Sequence, residues 1–285
     1  MLRTRAGQTS ALRLLTDRDR DEALAVCDRD PVANVFVRAR LQASGLDPLR
    51  LGAQVWGFRD SGGLESICYV GANMVPVEAG PAAVAAYAER ARKQSRRCSS
   101  IAGPADAVGA LWRRLEHYWD RPREIRDRQP LMAMASEPLV DPDPGVRLVR
   151  PSEVGILLPA SIAMFTEEVG ISPIGADGGA AYRARVTELV SCGRSLAKIE
   201  NGQVVFKAEI GAVTADACQV QGVWVPPDLR GRGHASRGMA AVVAFARSSL
   251  APVVSLYVND FNLPARAAYR RVGFTEVGMF TSVLF

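Results

Sequence analysis

The sequence predicts an α/β (α+β) chain of two similar modules, each a mixed and mostly antiparallel sheet flanked by helices. Three observations lead there. A strand at 219–225 runs through two prolines and a glycine-spaced loop into an amphipathic helix, whose apolar Met239, Val242, Val243 and Ala246 fall at i, i+3, i+4 and i+7. Asn201-Gly202 joins two candidate strands, 195–200 and 203–213, and is the residue pair most suited to a two-residue antiparallel hairpin. The succession of strands and helices before residue 140 is also close to the succession after it, as a duplication would give.

A strand at 11–15 opens the first half, with helices at 20–28 and 31–44 after it. Two strands, 55–58 and 66–77, flank Ser61-Gly62-Gly63. Pro81 occupies a tolerated first-turn position of a helix at 81–97. A short strand near 99–102, a helix at 105–119 and a strand near 131–135 complete the order β-α-α-β-β-α-β-α-β. Leu12-Arg13-Leu14-Leu15 recurs as Val146-Arg147-Leu148-Val149, and Val75-Pro76 precedes its helix as Val225-Pro226 does. Glu137-Pro138-Leu139-Val140-Asp141-Pro142-Asp143-Pro144 reads as the linker, since its three prolines favour extended backbone. The modules are therefore expected at 1–140 and 141–285.

The second half starts with a strand at 146–149. Ser152 and Glu153 then open a helix at 152–168, and a second helix covers 180–191. The irregular stretch 170–179 between them is long enough to serve as a substrate lid. After the Asn201-Gly202 hairpin and the 219–225 strand come the glycine loop and its helix. Strands at 253–258 and 275–284 bracket a last helix.

Hydrophobic residues make up 48% of the 285 and charged residues 23%, ordinary for a globular protein, and no apolar run reaches membrane-spanning length. No apolar stretch follows the basic start, so export is unsupported and a cytoplasmic location is expected. The net charge of +5 is spread over both halves, with 21 basic and 17 acidic residues up to 140 and 14 and 13 after it, so neither half is a nucleic-acid arm. Only Lys93, Lys198 and Lys207 of the basic residues are lysines. Arg90, Arg92, Lys93, Arg96 and Arg97 close a helix, where cations suit the dipole, and are expected on a solvated face. The five cysteines lack any Cys-x-x-Cys spacing and are expected reduced and buried; with only two histidines, no metal site is expected.

The loop after 219–225 is built for phosphate: Gly231 and Gly233 allow close backbone approach, and the helix start presents unpaired amides at the positive end of its dipole. No Gly-Lys-Ser/Thr follows Gly233, which excludes a nucleoside triphosphate loop. A dinucleotide fingerprint would need a third glycine where Ser236 stands, with Asp260 as its acidic residue. The remaining reading is Arg230-Gly231-Arg232-Gly233-His234-Ala235, which resembles the Gln/Arg-x-x-Gly-x-Gly/Ala loop of the GNAT superfamily of N-acetyltransferases. Downstream, Asn262, Ala265, Tyr269, Gly273 and Phe274 match every fixed position of that family's Asn-x-x-Ala-x-x-x-Tyr-x-x-x-Gly-Phe signature. The resemblance covers roughly residues 145–285.

The resemblance implies acetyl-coenzyme A as cosubstrate, with its pyrophosphate on the amides of Arg230, Gly231, Arg232, Gly233, His234, Ala235 and Ser236. Strand residues Val223, Trp224 and Val225 would pair with the pantetheine, and an amide at Val225 or Trp224 would polarise the thioester carbonyl. Asn262 resembles the cofactor-contacting asparagine and can equally cap its helix. Tyr269 is the candidate general acid, since a phenol is still protonated at neutral pH and can donate to the departing sulfur; by periodicity alone it is a core residue. Glu209 and Glu168 are candidate bases for the amine, as is Glu167, and each also reads as a solvated charge. Relatives that acetylate protein N-termini carry glutamate where Tyr257 stands, so the acceptor, a small-molecule or peptide amine, is left open. In the first half the corresponding loop, Val77-Glu78-Ala79-Gly80-Pro81, offers a carboxylate and a proline instead of amides. That half is expected to be a degenerate copy without cofactor. The expected activity is N-acetyl transfer by direct attack in a ternary complex; the alternative is a non-catalytic acyl-coenzyme A binding module.

Overall fold

The computed structural model describes residues 12–60, 62–175 and 177–285. Ala11 of the expected first strand, Ser61 of the expected turn and Ala176 of the expected lid lie outside the described residues. The chain forms two compact units, one of residues up to Pro130 together with Gly278–Phe285, the other Leu131–Val277.

In the first unit β1 (Leu12–Leu14) leads to α1 (Arg20–Cys27), α2 (Val35–Ser44) and the short α3 (Pro48–Leu51). Strands β2 (Gln54–Asp60), β3 (Gly63–Val70) and β4 (Asn73–Val77), helix α4 (Pro81–Arg92), β5 (Ser100–Pro104), α5 (Ala105–Leu115) and the start of β6 (Glu124–Met134) follow. Strands β1 to β4 pair antiparallel in succession, and β4 pairs parallel with β5. Strand alternation fills two cores. Trp56 and Cys68 point to the layer of α4 and α5, while Val55 and Ile67 point to that of α1 and α2.

The second unit runs β7 (Arg147–Leu148), α6 (Val154–Val169), α7 (Ala180–Ser191), β8 (Ser195–Glu200), β9 (Gln203–Val213), β10 (Ala217–Trp224), α8 (His234–Ser249), β11 (Val253–Tyr257), α9 (Leu263–Val272) and β12 (Thr275–Leu284). Strands β7 to β10 are antiparallel neighbours, β10 and β11 are parallel, and the end of β6 pairs antiparallel with β11, Met134 facing Val254. Phe206, Ala208 and Ile210 pack with α8 and α9, and Ala197 and Val204 with α6 and α7.

Each half's closing strand divides between the units. Residues 131–134 of β6 pair within the second, and residues 280–284 of β12 pair antiparallel with β5 in the first. The expected boundary at 140/141 thus lies inside the second unit. The proline-rich linker is fastened there, with the Leu139 amide donating to the Val272 carbonyl and the Asp143 amide to that of Arg237.

The expected single strand 66–77 is two strands. Gly71 and Ala72 turn the chain so that Val70 faces Met74, and β-favouring residues on both sides hid the break. With β4 counted, both halves read β-α-α-β-β-β-α-β-α-β apart from the added α3, and a further repeat joins the two sequence echoes. Asp19, six residues after Arg13, binds its guanidinium and accepts from the Thr16 amide. Glu153, six residues after Arg147, binds its guanidinium at 2.7 and 2.8 Å and accepts from the Arg150 amide at 2.9 Å.

Smaller differences have local causes. The helix expected from 31 starts at Val35 because the Asp30 carboxylate holds the Val32 and Ala33 amides in a turn. The helices expected to 97 and 119 end at Arg92 and Leu115, and the strand expected near 131 begins at Glu124. The basic cluster is not simply solvated: Arg90 lies over Trp56, Arg92 over Tyr118 and Arg96 over Phe285, at 5.0, 5.4 and 4.3 Å from the ring centroids. All five cysteines are free, but Cys192, at the end of α7, is exposed rather than buried. Among the described residues no helix is long and apolar enough to cross a membrane.

Candidate active site

Helix α8 begins at His234 with Gly233 as its N-cap, and no side chain caps it. Gly231 and Gly233 have φ of 75° and 84°, the left-handed region that costs any other residue strain. A Cβ at either position would meet no protein atom within 4 Å, so the loop's outer face is open. The orphan amides of the first turn, on His234, Ala235 and the buried Ser236, are left for an anion. Arg237 and Arg271 line a depression that also contains Gly233 and Ser236. By contrast α9 is already capped: Asn262 Oδ1 accepts from the Ala265 amide at 3.2 Å, the capping role its sequence allowed.

The parallel pairing of β10 with β11 covers only Ala217 to Gln219, opposite Val253 to Ser255. Beyond it β11 continues against β6 and β10 against β9, so among the described residues the β11-facing edge of Val223 and Trp224 has no ladder partner. Pro226 and Pro227 end the strand, and a short 3-10 turn, Pro227–Leu229, delivers the chain to Arg230. Arg230 anchors this bend, its Nε donating to the Val225 carbonyl at 3.0 Å and its Nη2 to Glu167 Oε2 at 2.7 Å. The Trp224 indole donates to the same carboxylate oxygen at 3.2 Å. Glu167 is therefore an anchor joining α6 to the loop, and the Arg230 guanidinium holds its carboxyl below the usual range. Arg232 is exposed.

Tyr269 is buried on α9, its ring edge against Phe274 at 6.0 Å, and its hydroxyl makes no hydrogen bond among the described residues. Burial, with a further contribution from the Glu168 charge, pushes its phenol above the ordinary value. Glu168 is exposed at the end of α6. Its charge also acts on Tyr182, raised by burial first and then by Glu209 and Glu168. The Glu168 charge thus reaches both tyrosines, and that of Glu209 reaches Tyr182.

Glu209 is not the solvated charge it could have been. It is buried, and Oε1 accepts from Lys207 Nζ at 2.8 Å; Lys207 is itself fully buried and also donates to the Gly222 carbonyl at 3.0 Å. Two of these residues escaped sequence reasoning. Lys207 stands two residues before Glu209 on an alternating strand, hence on the same face, and a lysine in a chain of arginines was a usable signal. Tyr182, which donates to the Ser161 carbonyl at 2.9 Å and meets Phe165 edge-on, carried no signal in the sequence.

The fold recurs in known proteins. Residues 183–274 match the family model described as acetyltransferase (GNAT) family. The second unit carries a GNAT acetyltransferase domain. Residues 53–157 match a domain of unknown function, DUF4081. Among solved structures, a GCN5-related N-acetyltransferase from Sphaerobacter thermophilus superposes with a TM-score of 0.57 at 17% identity, over 96% of this chain and 95% of that one. A tandem GNAT protein from the clavulanic acid biosynthesis pathway gives 0.54 at 14% identity over 96% and 98%, and a Drosophila protein 0.61 at 14% identity over 97% and 99%. At these identities the likeness is one of fold, and it extends over the first unit as well as the GNAT domain. Comparison with curated proteins gives no sequence match. Acyl transfer is the chemistry of the GNAT acetyltransferase family.

Proposed function

We propose that the GNAT domain transfers the acetyl group of acetyl-coenzyme A to a primary amine by direct attack in a ternary complex. The observation that carries this reading is the uncapped start of α8, set on two left-handed glycines beside the point where β10 parts from β11. The amides of residues 231 to 236 would take the pyrophosphate, and the open edge at Val223 to Val225 would pair with the pantetheine. That pairing leads the thioester into the gap between the strands. The amine nitrogen attacks the thioester carbon, and the negative charge on its oxygen is met by a backbone amide of β10. Collapse breaks the carbon–sulfur bond, Tyr269 gives its proton to the thiolate, and the amine's proton passes to Glu168 or, through water, to Glu209.

The first unit supports a degenerate copy. At its equivalent loop Glu78 takes a φ of 51° and its carboxylate accepts from Asn34 Nδ2 at 2.9 Å, while Pro81 removes a first-turn amide. One acetyl-coenzyme A per chain is expected by calorimetry, with coenzyme A release across a panel of primary amines; no heat of binding would refute the proposal. A second reading, a non-catalytic acyl-coenzyme A binding module, is favoured by one observation, the engagement of Glu209 by Lys207. Binding without release to any amine would select it.

A further inference from the structure

We infer that Lys207 is a positioning residue: it fixes the peptide between Gly222 and Val223 so that the Val223 N–H, rather than that of Trp224 or Val225, meets the thioester oxygen. The inference rests on the acyl-coenzyme A reading above. Pairing of β9 with β10 runs Glu209 to Gln221 and then Lys207 to Trp224, so Gly222 and Val223 together oppose one residue of β9. This is a bulge, and Gly222 has the left-handed φ of 58° that such a position takes. Its carbonyl, turned out of the ladder, accepts from Lys207 Nζ at 3.0 Å. A trans peptide is planar and its C=O and N–H point in opposite directions, so this bond directs the Val223 N–H away from Lys207, at a residue that β11 leaves unpaired among the described residues.

Glycine at 222 belongs to the same device. A Cβ there would lie 3.2 Å from Glu209 Oε2 and 3.1 Å from the Met164 methyl, tighter than ordinary contact, and would add to the strain of the left-handed φ. Fold stability does not explain the pair, because a buried ion pair can commonly be replaced by apolar groups of similar volume without loss. What such a replacement could not reproduce is a cation fixed on the Gly222 carbonyl.

The test needs no acceptor, because acetyl-coenzyme A has the thioester carbonyl and coenzyme A lacks it. Calorimetry compares the two ligands on the full chain, on Glu209→Gln, which keeps the lysine, and on Lys207→Met with Glu209→Gln, which replaces the pair by neutral groups. The double variant should bind coenzyme A as the parent does and lose about fivefold in its acetyl-coenzyme A to coenzyme A affinity ratio, the size of one net hydrogen bond. Glu209→Gln should keep the parental ratio. An unchanged ratio in a double variant that melts cooperatively overturns the inference. Parent protein that binds neither ligand overturns the reading beneath it instead. Should the double variant fail to fold, the parent decides: the Val223 amide proton should move downfield in nitrogen-correlated NMR spectra with acetyl-coenzyme A and not with coenzyme A, and equal movement with both refutes the assignment.

Discussion

Tyr269→Phe removes one oxygen and keeps the ring, so it separates chemistry from packing at the residue proposed as general acid. The ring contact with Phe274 and the burial of the side chain on α9 survive the change. The hydroxyl has no hydrogen-bond partner among the described residues, so the usual cost of about 1 kcal/mol for a lost bond does not arise, and the melting temperature should stay within a degree or two. Cofactor affinity should hold for the same reason. Chemistry should not hold, because general acid catalysis typically contributes about 10² to 10⁴ in rate, and the departing thiolate would lose its donor. The assay is single-turnover acyl transfer with the cofactor saturating, read as thiol release. A loss of at least tenfold is expected. Burial raises the phenol above its ordinary value near 10, so the acid stays protonated throughout neutral pH, and the parent's rate should show no alkaline loss from this group below about pH 10. An unchanged transfer rate in an equally stable variant would return Tyr269 to the core and leave the thiolate to solvent.

Gly233→Asp should abolish acetyl-coenzyme A binding in calorimetry, since it sets an anion at the proposed pyrophosphate position, and Gly233→Ala should lower unfolding free energy by about 1 to 2 kcal/mol through its φ of 84° alone. A chain starting at 141 lacks residues 131–134, the strand beside β11, and the buried Met132 and Met134, so it should lose cooperative unfolding in calorimetric scans. Arg147, aided by the Arg150 amide, holds the Glu153 carboxyl down at about 2, so the ion pair adds stability above the unfolded value near 4.3 and loses it as pH falls toward 2. Glu153→Gln should therefore be less stable than the parent at pH 6, with the gap closing over that window in denaturant titrations. One thiol per chain, Cys192, should react rapidly with a disulfide reagent at pH 8, because the other four are buried and desolvation raises their pKa values, those of Cys27 and Cys218 to about 12.

The geometry of the candidate cofactor loop was legible because it is set locally. A glycine at a left-handed position, a helix start without a cap and a strand ended by prolines are each specified within a few neighbouring residues, so Arg230 to Ser236 could be read directly. Asn262 and Tyr269 lie in a second such stretch. Glu78 and Pro81, on which the degenerate-copy reading of the first half rests, are likewise local features. The turn at Gly71-Ala72 was missed for a local reason of the opposite kind: residues that favour strands stand on both sides of it, and alternation continues through it.

Sequence alone therefore determined the repeat of strands and helices, the glycine loop that opens α8 and the tyrosine helix, all set by dihedral preference and periodicity over short spans. Tertiary structure alone decided which distant groups meet. Arg230 found Glu167 across 63 residues and Lys207 found the Gly222 carbonyl across 15, while residues 131–134 became a strand of the second unit. These contacts depend on strand register and on how helices settle on a sheet, and register is fixed by the burial of a whole face rather than by any one residue. That is why Glu209 could be read as a solvated carboxylate in the sequence and stands in the fold as half of a buried ion pair.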